Sequence, residues 1–337
     1  MKNFIVKLLI FISLLIIFDR LFLIFRVNET NIFNSIAREK MTIISPKLDI
    51  IEKPDILIVG SSHAQFGISP EIIGKQLTAY TLNLAYGGGA NIGGQLTMLR
   101  RLIEEKKIVP KLIIFGLDVF ALNAEPTNND EFQRKLFKES TNVSNGFFKS
   151  KIFNSYFKLY SRFIPRYLTQ VKSGNYLLPY FDNENYYDLT MFQKYEKYEI
   201  SNDGWVMGFG TLNKNYIRYS KTLFNPDKRA LANLADYVEL CNKNKIALVF
   251  IQVPEHKVCA KHIKKYNEFD RWMHQFVHNN KLPYWNFNSE TSYPTNTDSL
   301  FFDSDHLNKQ GAELFSIKLS ERIISIHDSM PLTQNRF

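Results

Sequence analysis

The sequence predicts an α/β fold in which a mainly parallel sheet lies between two layers of helices. Short apolar runs alternate with segments of helical periodicity, and two of these runs are followed directly by glycine. Strands that are buried on both faces read as continuous apolar runs, and the connection between parallel strands is usually a helix. The 337 residues suffice for one large α/β domain that carries a substantial insertion.

Five apolar runs are predicted to form the strands, and five periodic segments the covering helices. The predicted strands are residues 55–60, 81–86, 111–118, 246–254 and 284–288. The predicted helices are residues 70–77, 92–107, 230–244, 263–279 and 308–326. The α/β domain is therefore expected to comprise residues 55–125 and 230–330, with its functional residues at the carboxyl ends of the strands.

The amino terminus is predicted to cross a membrane. Residues 4–25 are mostly apolar, and about 22 residues at about 1.5 Å each span the hydrocarbon layer. Bulky side chains follow the apolar run where a signal-peptide cleavage site needs small ones, which favours an uncleaved anchor over a cleaved peptide. A helix lying on the membrane surface is a third interpretation. We expect residues 1–27 to form a transmembrane signal anchor and residues 28–54 a connector.

The strand–helix alternation stops between the third and fourth predicted strands. Residues 126–229 are rich in Phe, Tyr, Asn and Lys, and residues 147–171 interleave basic and aromatic side chains in an amphipathic pattern. Residues 201–209 predict a turn and a short strand. We interpret this region as an insertion that caps the sheet or docks substrate, with Trp205 as a candidate pocket residue. A helical subdomain without substrate contact is the alternative.

Charge and cysteine content exclude some classes of function. The net charge is +9, but the basic residues are scattered and no nucleic-acid-binding motif is present, so a partner such as anionic lipid or an anionic surface polymer is favoured. Cys241 and Cys259 could be bridged or free. No Cys/His spacing indicates zinc, and neither a metal nor an organic cofactor is predicted.

Two short motifs at opposite ends of the chain carry the predicted chemistry. Ser62 lies in a Gly-Ser-Ser-His segment directly after the first predicted strand, which is a suitable place for a nucleophile. A serine hydroxyl needs a base, and the base needs an orienting carboxylate. His306 and Asp303 lie together just before the last predicted helix and can supply both, with Asp305 as an alternative carboxylate. The same segment also reads as a helix cap, and the two interpretations are compatible.

These motifs resemble two conserved blocks of the SGNH hydrolases. Asn83-Leu84-Ala85-Tyr86-Gly87-Gly88 is similar to a third block. The resemblance implies an SGNH, flavodoxin-like fold, a catalytic triad of Ser62, His306 and Asp303, and an oxyanion hole that includes the amides of Ser62 and Gly88.

The fourth block departs from the family pattern. The family has an asparagine after the third strand as a further oxyanion donor, and this chain has Asp118. An ionised carboxylate repels an oxyanion, so Asp118 has another role or the donor is supplied from elsewhere. Asn91 and Asn123 are nearby in sequence. Asp118 is a candidate pocket residue, together with His63, which follows the nucleophile, and His256, which follows the fourth predicted strand.

The anchor, the Gly-Ser-Ser motif and the insertion are similar to cell-envelope members of the family, among them the teichoic acid D-alanyl transfer protein and the alginate O-acetylation proteins. The resemblance implies a single-pass protein of the bacterial cytoplasmic membrane whose catalytic domain faces outward. It implies an acyltransferase that forms an acyl-enzyme at Ser62, takes a cell-surface glycan and an acyl donor as substrates, and works beside a membrane-bound O-acyltransferase. An esterase with water as acceptor and a non-catalytic envelope scaffold are the alternatives.

Overall fold

The structure is a computed structural model that describes residues 6–7, 32–50, 52–87, 91–123, 137, 198–212, 223–257, 264–289 and 293–329. The chain divides into two compact units, of which one comprises Met1–Ser35 with Ser140–Lys194 and the other Ile36–Glu139 with Tyr195–Phe337. Most described residues belong to the second unit, and the fold given below is that of this unit.

A five-stranded parallel sheet forms the centre of the described part of the chain. Its strands are β1 (Ile56–Gly60), β2 (Thr81–Asn83), β3 (Leu112–Gly116), β6 (Ala247–Gln252) and β7 (Tyr284–Asn286). They lie in the order β2-β1-β3-β6-β7, and every pairing is parallel. Two further strands, β4 (Tyr198–Ile200) and β5 (Val206–Gly208), form a separate antiparallel hairpin.

Eight α-helices are present in the described residues, and five of them correspond to the predicted ones with ends that differ by up to three residues. They are α1 (Ile32–Ile44), α2 (Ser62–Gly67), α3 (Pro70–Leu77), α4 (Ile92–Glu104), α5 (Val119–Asn123), α6 (Lys228–Lys243), α7 (Tyr266–Asn280) and α8 (Lys309–Ser329). Ser69 caps α3 by accepting from the amide of Ile72, and Pro70 occupies the first turn, where its missing N–H costs nothing. Asp227 caps α6 in the same way.

Alternate residues of each central strand face two different apolar layers. Leu57 and Val59 of β1 point toward a core shared with α1, α4, α6 and α7, whereas Ile56 and Ile58 point toward a core shared with α2, α3 and α8. The period of two along a strand produces this division. The predicted α/β architecture, with a parallel sheet covered on both faces, is confirmed.

The register of the three central strands brings their carboxyl ends to one level. Gly60 of β1 pairs with Gly116 of β3, which pairs with Ile251 of β6. Segments that leave these strands therefore begin side by side at one edge of the sheet. The predicted strands were longer than those observed. Strand β2 ends at Asn83, although the amides of Leu84 and Tyr86 still donate to the carbonyls of Ile58 and Gly60 in β1.

The described part of the predicted insertion contacts the helix that follows β1. The amide of Asn83 donates to the carbonyl of Asp203 in the β4–β5 turn, and the Nε1 of Trp205 donates to the carbonyl of Phe66 at 2.7 Å. Most of residues 126–229, including the amphipathic stretch 147–171, lies outside the described residues.

Among the helices that the structure describes, none combines the length and hydropathy that a membrane span needs. The predicted anchor, residues 4–25, lies outside the described residues except for Val6 and Lys7, and it stays a prediction. Cys241 is a buried free thiol, and its burial raises its pKa to about 12. Cys259 lies outside the described residues.

Candidate active site

Ser62 is the first residue of a short helix that begins immediately after β1. Gly60 ends the strand with a φ of 125°, a value that L side chains rarely adopt, and Ser61 is the extended residue before the helix. The Ser61 side chain caps α2 by accepting from the amide of His63 at 3.3 Å. This sharp strand-to-helix turn leaves Ser62 half-buried at the carboxyl edge of the sheet.

Ser62, His306 and Asp303 form a continuous chain of hydrogen bonds. The Oγ of Ser62 lies 2.9 Å from the Nε2 of His306, and the Nδ1 of His306 lies 3.0 Å from both carboxylate oxygens of Asp303. The carboxylate fixes the proton on Nδ1, so that Nε2 is the nitrogen that can take the serine proton. This arrangement can activate a serine hydroxyl as a nucleophile.

The loop before α8 is folded around the Asp303 carboxylate. The amides of Asp305 and His306 both donate to Oδ1 of Asp303, at 3.0 and 2.7 Å. Asp305, the alternative orienting residue, has a carboxylate oxygen 3.5 Å from Nδ1 of His306. Asp303 therefore makes the shorter contacts to the imidazole, and Asp305 adds a second negative charge nearby.

The imidazole of His306 is held between aromatic rings. The Phe302 ring stacks on it with centroids 5.5 Å apart and planes inclined by 20°, and the Phe66 ring meets it edge-on at 5.2 Å. Burial opposes protonation of His306, but the charges of Asp303 and Asp305 outweigh it and raise the pKa of the imidazole. Burial also opposes ionisation of Asp305, yet the neighbouring His306 lowers the pKa of this carboxyl.

Part of the predicted oxyanion hole lies outside the described residues. Gly88 belongs to the segment 88–90, which the structure does not describe. The adjacent Gly87 donates its amide to the side chain of Gln65 at 2.8 Å, which ties the glycine-containing loop to α2. The Ser62 amide belongs to the first turn of α2, where helices leave amides without intrahelical partners. Gln65, which is fully buried, is a site-shaping residue that the sequence did not single out.

Asp118 does not act as an oxyanion donor in this structure. One of its carboxylate oxygens accepts from the amide of Ala121 at 2.9 Å, and the other lies 3.2 Å from the Nδ1 of His63. Burial disfavours its charge, but hydrogen bonds from His63, Ser61 and Ala121 lower the pKa of the carboxyl. The Asp118 carboxylate thus caps the amino terminus of α5 and pairs with His63.

The two asparagines considered as substitutes are engaged elsewhere. Asn91 caps α4 by accepting from the amide of Gly94 at 2.7 Å. Asn123 donates to the carbonyl of Leu223 at 2.6 Å and accepts from the amide of Asn225. These bonds engage the side-chain oxygen of Asn91 and both polar side-chain atoms of Asn123.

Two of the candidate pocket residues, His256 and Trp205, are buried and bond to other protein groups. The Nε2 of His256 lies 3.1 Å from Asp298, and its ring is edge-on to Phe301. Trp205 is only 4% exposed and packs in the core beside α2. Both side chains are as buried as His306 itself, and their place in the substrate pocket stays a prediction.

Glu255, which the sequence did not single out, occupies the place expected for His256. It follows β6, is buried, and lines one depression together with Ser61, His63 and Asp118. Its Oε1 lies 3.9 Å from the Nδ1 of His63. The signal was its position at the end of a central strand, but the sequence does not show which of two adjacent side chains faces the site.

One group of potential metal ligands occurs in the part of the chain that the structure describes. His63, Asp305 and His306 each offer one ligand atom, and these atoms lie within 4.8 Å of one another. Both ring nitrogens of His306 already bond to Ser62 and Asp303. A metal ion at His306 would therefore compete with the serine–histidine–aspartate chain.

Comparisons with known proteins yield similarity in structure only. No family model matches the chain, and no curated protein matches it. One similar solved structure is a candidate acylhydrolase from Bacteroides fragilis, with 11% identity, a TM-score of 0.39, and coverage of 83% of this chain and 95% of that one. Another is a GDSL-like lipase from Bacteroides thetaiotaomicron, with 10% identity, a TM-score of 0.36, and coverage of 84% and 98%.

Proposed function

We propose that this protein is a serine acyltransferase that forms an acyl-enzyme at Ser62 and passes the acyl group to a hydroxyl of an extracytoplasmic polysaccharide. The observation that carries the proposal is the chain of hydrogen bonds from Ser62 through His306 to Asp303. Such a chain lowers the cost of removing the serine proton as the nucleophile attacks.

The first half-reaction transfers the acyl group to the enzyme. Ser62 Oγ attacks the carbonyl carbon of an acyl donor while Nε2 of His306 takes the hydroxyl proton. The Asp303 carboxylate stabilises the imidazolium that results. The tetrahedral intermediate then collapses, the bond to the leaving oxygen breaks, and His306 gives its proton to that oxygen.

The second half-reaction releases the acyl group to an acceptor. A sugar hydroxyl attacks the acyl-enzyme carbonyl while His306 takes the hydroxyl proton, and collapse returns this proton to Ser62 as the new ester leaves. Acetyl is the acyl group that we propose. Three observations support an acceptor at the outward face of the cytoplasmic membrane. They are the resemblance to cell-envelope transferases, the predicted anchor at residues 4–25 and the net charge of +9.

Hydrolysis uses the same residues with water in place of the sugar hydroxyl. The experiment therefore measures both products. The full-length chain in detergent is given an activated acetyl ester with and without an anionic polysaccharide, and both free acetate and acetylated polysaccharide are quantified. Acetylated polysaccharide as the main product supports transfer, whereas free acetate alone identifies an esterase.

Matched variants assign the nucleophile. Ser62→Ala should abolish both products, and Ser325→Ala, an exposed serine near the end of α8, should leave them unchanged. A serine-directed phosphonate should add to Ser62 in wild type, as located by peptide mass spectrometry. Equal activity in wild type and Ser62→Ala would refute the nucleophile assignment, and absence of any labelling or product would favour a non-catalytic scaffold.

A further inference from the structure

Residues 84–87 lead from the end of β2 into the glycine-containing loop, and each of their four amides has a hydrogen-bond acceptor. Two of the amides donate to carbonyls of β1. The two others donate to side chains: Ala85 to the Oδ1 of Asn83 at 3.0 Å, and Gly87 to the Oε1 of Gln65 at 2.8 Å. Side chains therefore serve as acceptors where the ladder of β2 has ended.

Gln65 belongs to the same short helix as the nucleophile. Ser62 is the first residue of α2, and Gln65 follows it by three positions. Side chains three positions apart lie on one face of a helix. Gln65 is completely buried, so packing fixes the direction of its side chain. The bond from Gly87 therefore fixes the glycine-containing loop relative to the helix that carries Ser62.

The side-chain amide of Gln65 is only half satisfied. The N–H of Gly87 needs an acceptor, which identifies the atom that faces it as Oε1 and the other atom as Nε2. Nε2 is buried and has no hydrogen-bond partner among the described residues. An unpaired buried donor costs about 1–3 kcal/mol, and a leucine or methionine of similar volume would avoid this cost. What glutamine supplies here, and these residues cannot, is the acceptor for Gly87.

A second buried side chain holds the same segment from another helix. The Nζ of Lys40 in α1 donates to the carbonyl of Ala85 and to the Oδ1 of Asn83, which also accepts from the amide of Ala85. Lys40 thus holds the peptide group at Ala85, and Gln65 holds the one at Gly87. Loss of the Gln65 acceptor would release Gly87 and leave Ala85 in place.

We propose that Gln65 is a positioning residue: through the amide of Gly87 it holds the glycine-containing loop where the loop stabilises the oxyanion of acyl transfer at Ser62. The inference rests on the function proposed above. Gln65 does not touch substrate, and its effect on the reaction passes through Gly87. Preorganised donors lose their effect when they move, and a displacement of about 1 Å can reduce a rate about 100-fold.

The kinetics of phosphonate labelling of Ser62 test the proposal, because the phosphoryl oxygen gains negative charge as the serine attacks. In Gln65→Leu the maximal labelling rate should fall about 10²- to 10³-fold, while the phosphonate concentration that gives half this rate changes by less than about twofold. Gln65→Glu keeps an acceptor oxygen, because burial keeps its carboxyl neutral, and should label within about tenfold of wild type. Gln275→Leu, which removes an exposed glutamine of α7, is the control and should change neither constant.

Nuclear magnetic resonance separates this inference from the proposed function. The full-length chain in detergent carries isotope-labelled glycine, and the Gly87 amide is assigned by comparison with Gly87→Ala. Its exchange with solvent should become at least about tenfold faster in Gln65→Leu and stay slow in Gln65→Glu. The amide of Gly94, which bonds to Asn91 at 2.7 Å, is the internal control and should exchange at one rate in all folded variants. The measurement needs no catalytic activity.

Slow labelling together with fast exchange of Gly87 in Gln65→Leu, both reversed in Gln65→Glu, supports the inference. Labelling of Gln65→Leu at the wild-type rate overturns it, as does unchanged exchange of Gly87. A Gln65→Glu chain that protects Gly87 and still labels as slowly as Gln65→Leu also overturns it. Gln65→Met, which lacks the acceptor as well, takes the place of Gln65→Leu if that variant does not fold. Absence of labelling in wild type counts against the proposed function alone, and the exchange of Gly87 then decides whether Gln65 positions the loop.

Discussion

The Nζ of Lys40 lies 2.9 Å from the Oδ1 of Asn83, and both side chains are completely buried. Lys40 also donates to the carbonyl of Ala85, and its burial lowers the pKa of the amine well below the usual value. Asn83 in turn donates its Nδ2 to the carbonyls of Ala64 and Ile68, at 3.0 and 2.9 Å. This network joins α1, the end of β2 and the helix that carries Ser62.

Replacement of Asn83 by alanine should destabilise the fold. The change removes the amide donor from the buried carbonyls of Ala64 and Ile68 and one of two acceptors from the Lys40 amine, and an unsatisfied buried group costs about 1–3 kcal/mol. We expect a loss of about 3 kcal/mol in the free energy of unfolding, measured by urea denaturation. Asn280→Ala, in which an exposed side chain bonds only within α7, should change it by less than about 0.5 kcal/mol. Equal losses of unfolding free energy in the two variants would mean that the Lys40–Asn83 network contributes little to stability.

Replacement of Gly60 by alanine should destabilise the fold by more than the strain of its positive φ alone. Gly60 has a φ of 125°, and a Cβ there would overlap the carbonyl oxygen of Gly116 in the neighbouring strand. We expect a loss of more than about 4 kcal/mol or failure to fold. Gly210 is the matched control: its φ is 104°, and no described residue has a heavy atom within 4 Å of a Cβ placed there. Gly210→Ala should cost about 1–3 kcal/mol from strain alone, and similar losses in the two variants would contradict the steric explanation.

The two carboxylates beside His306 should have separable effects. Asp303→Asn removes the group that orients the imidazole, and we expect the labelling rate of Ser62 to fall about 10³- to 10⁴-fold at its optimum. Asp305→Asn removes a negative charge that favours the imidazolium. The pKa of His306 should fall, so the acidic limb of the pH–rate profile should move to lower pH with the maximal rate nearly retained. The reverse pattern would show that Asp305 is the orienting residue.

Trp205 should matter for stability and not for acyl transfer. In Trp205→Phe the indole hydrogen bond to the carbonyl of Phe66 is lost. We expect unfolding to become easier by about 1–2 kcal/mol, with the specificity for acyl donor and glycan unchanged. A changed order of preference among acyl donors or glycans would indicate that Trp205 contacts the substrate.

The strands and long helices were predictable because their patterns are local. The apolar runs around Ile58 and Ile114 indicated buried strands, and Ser69 followed by Pro70 indicated where a helix begins. The pairing of Ser62 with His306 was a hypothesis based on two motifs, and the structure brings these side chains within 2.9 Å.

Other features depend on which strands become neighbours, and the sequence does not reveal this directly. The contact between His63 and Asp118 arises because β1 lies beside β3. Glu255 lines the depression beside His63, whereas the imidazole of His256 bonds to Asp298, and the sequence does not show which of two adjacent side chains takes which position. The helix Ser62–Gly67 was missed because six residues are too few to display a helical period.

The separation of Ser62 and His306 along the chain has a consequence for biosynthesis. His306 comes 244 positions after Ser62, and α8, which follows it, packs against α2 and α3. Protein chains emerge from the ribosome with the amino terminus first. During synthesis Ser62 therefore leaves the ribosome long before His306, the base that activates it. Ser62 gains its catalytic base only when the loop that carries His306 and the helix α8 dock against α2.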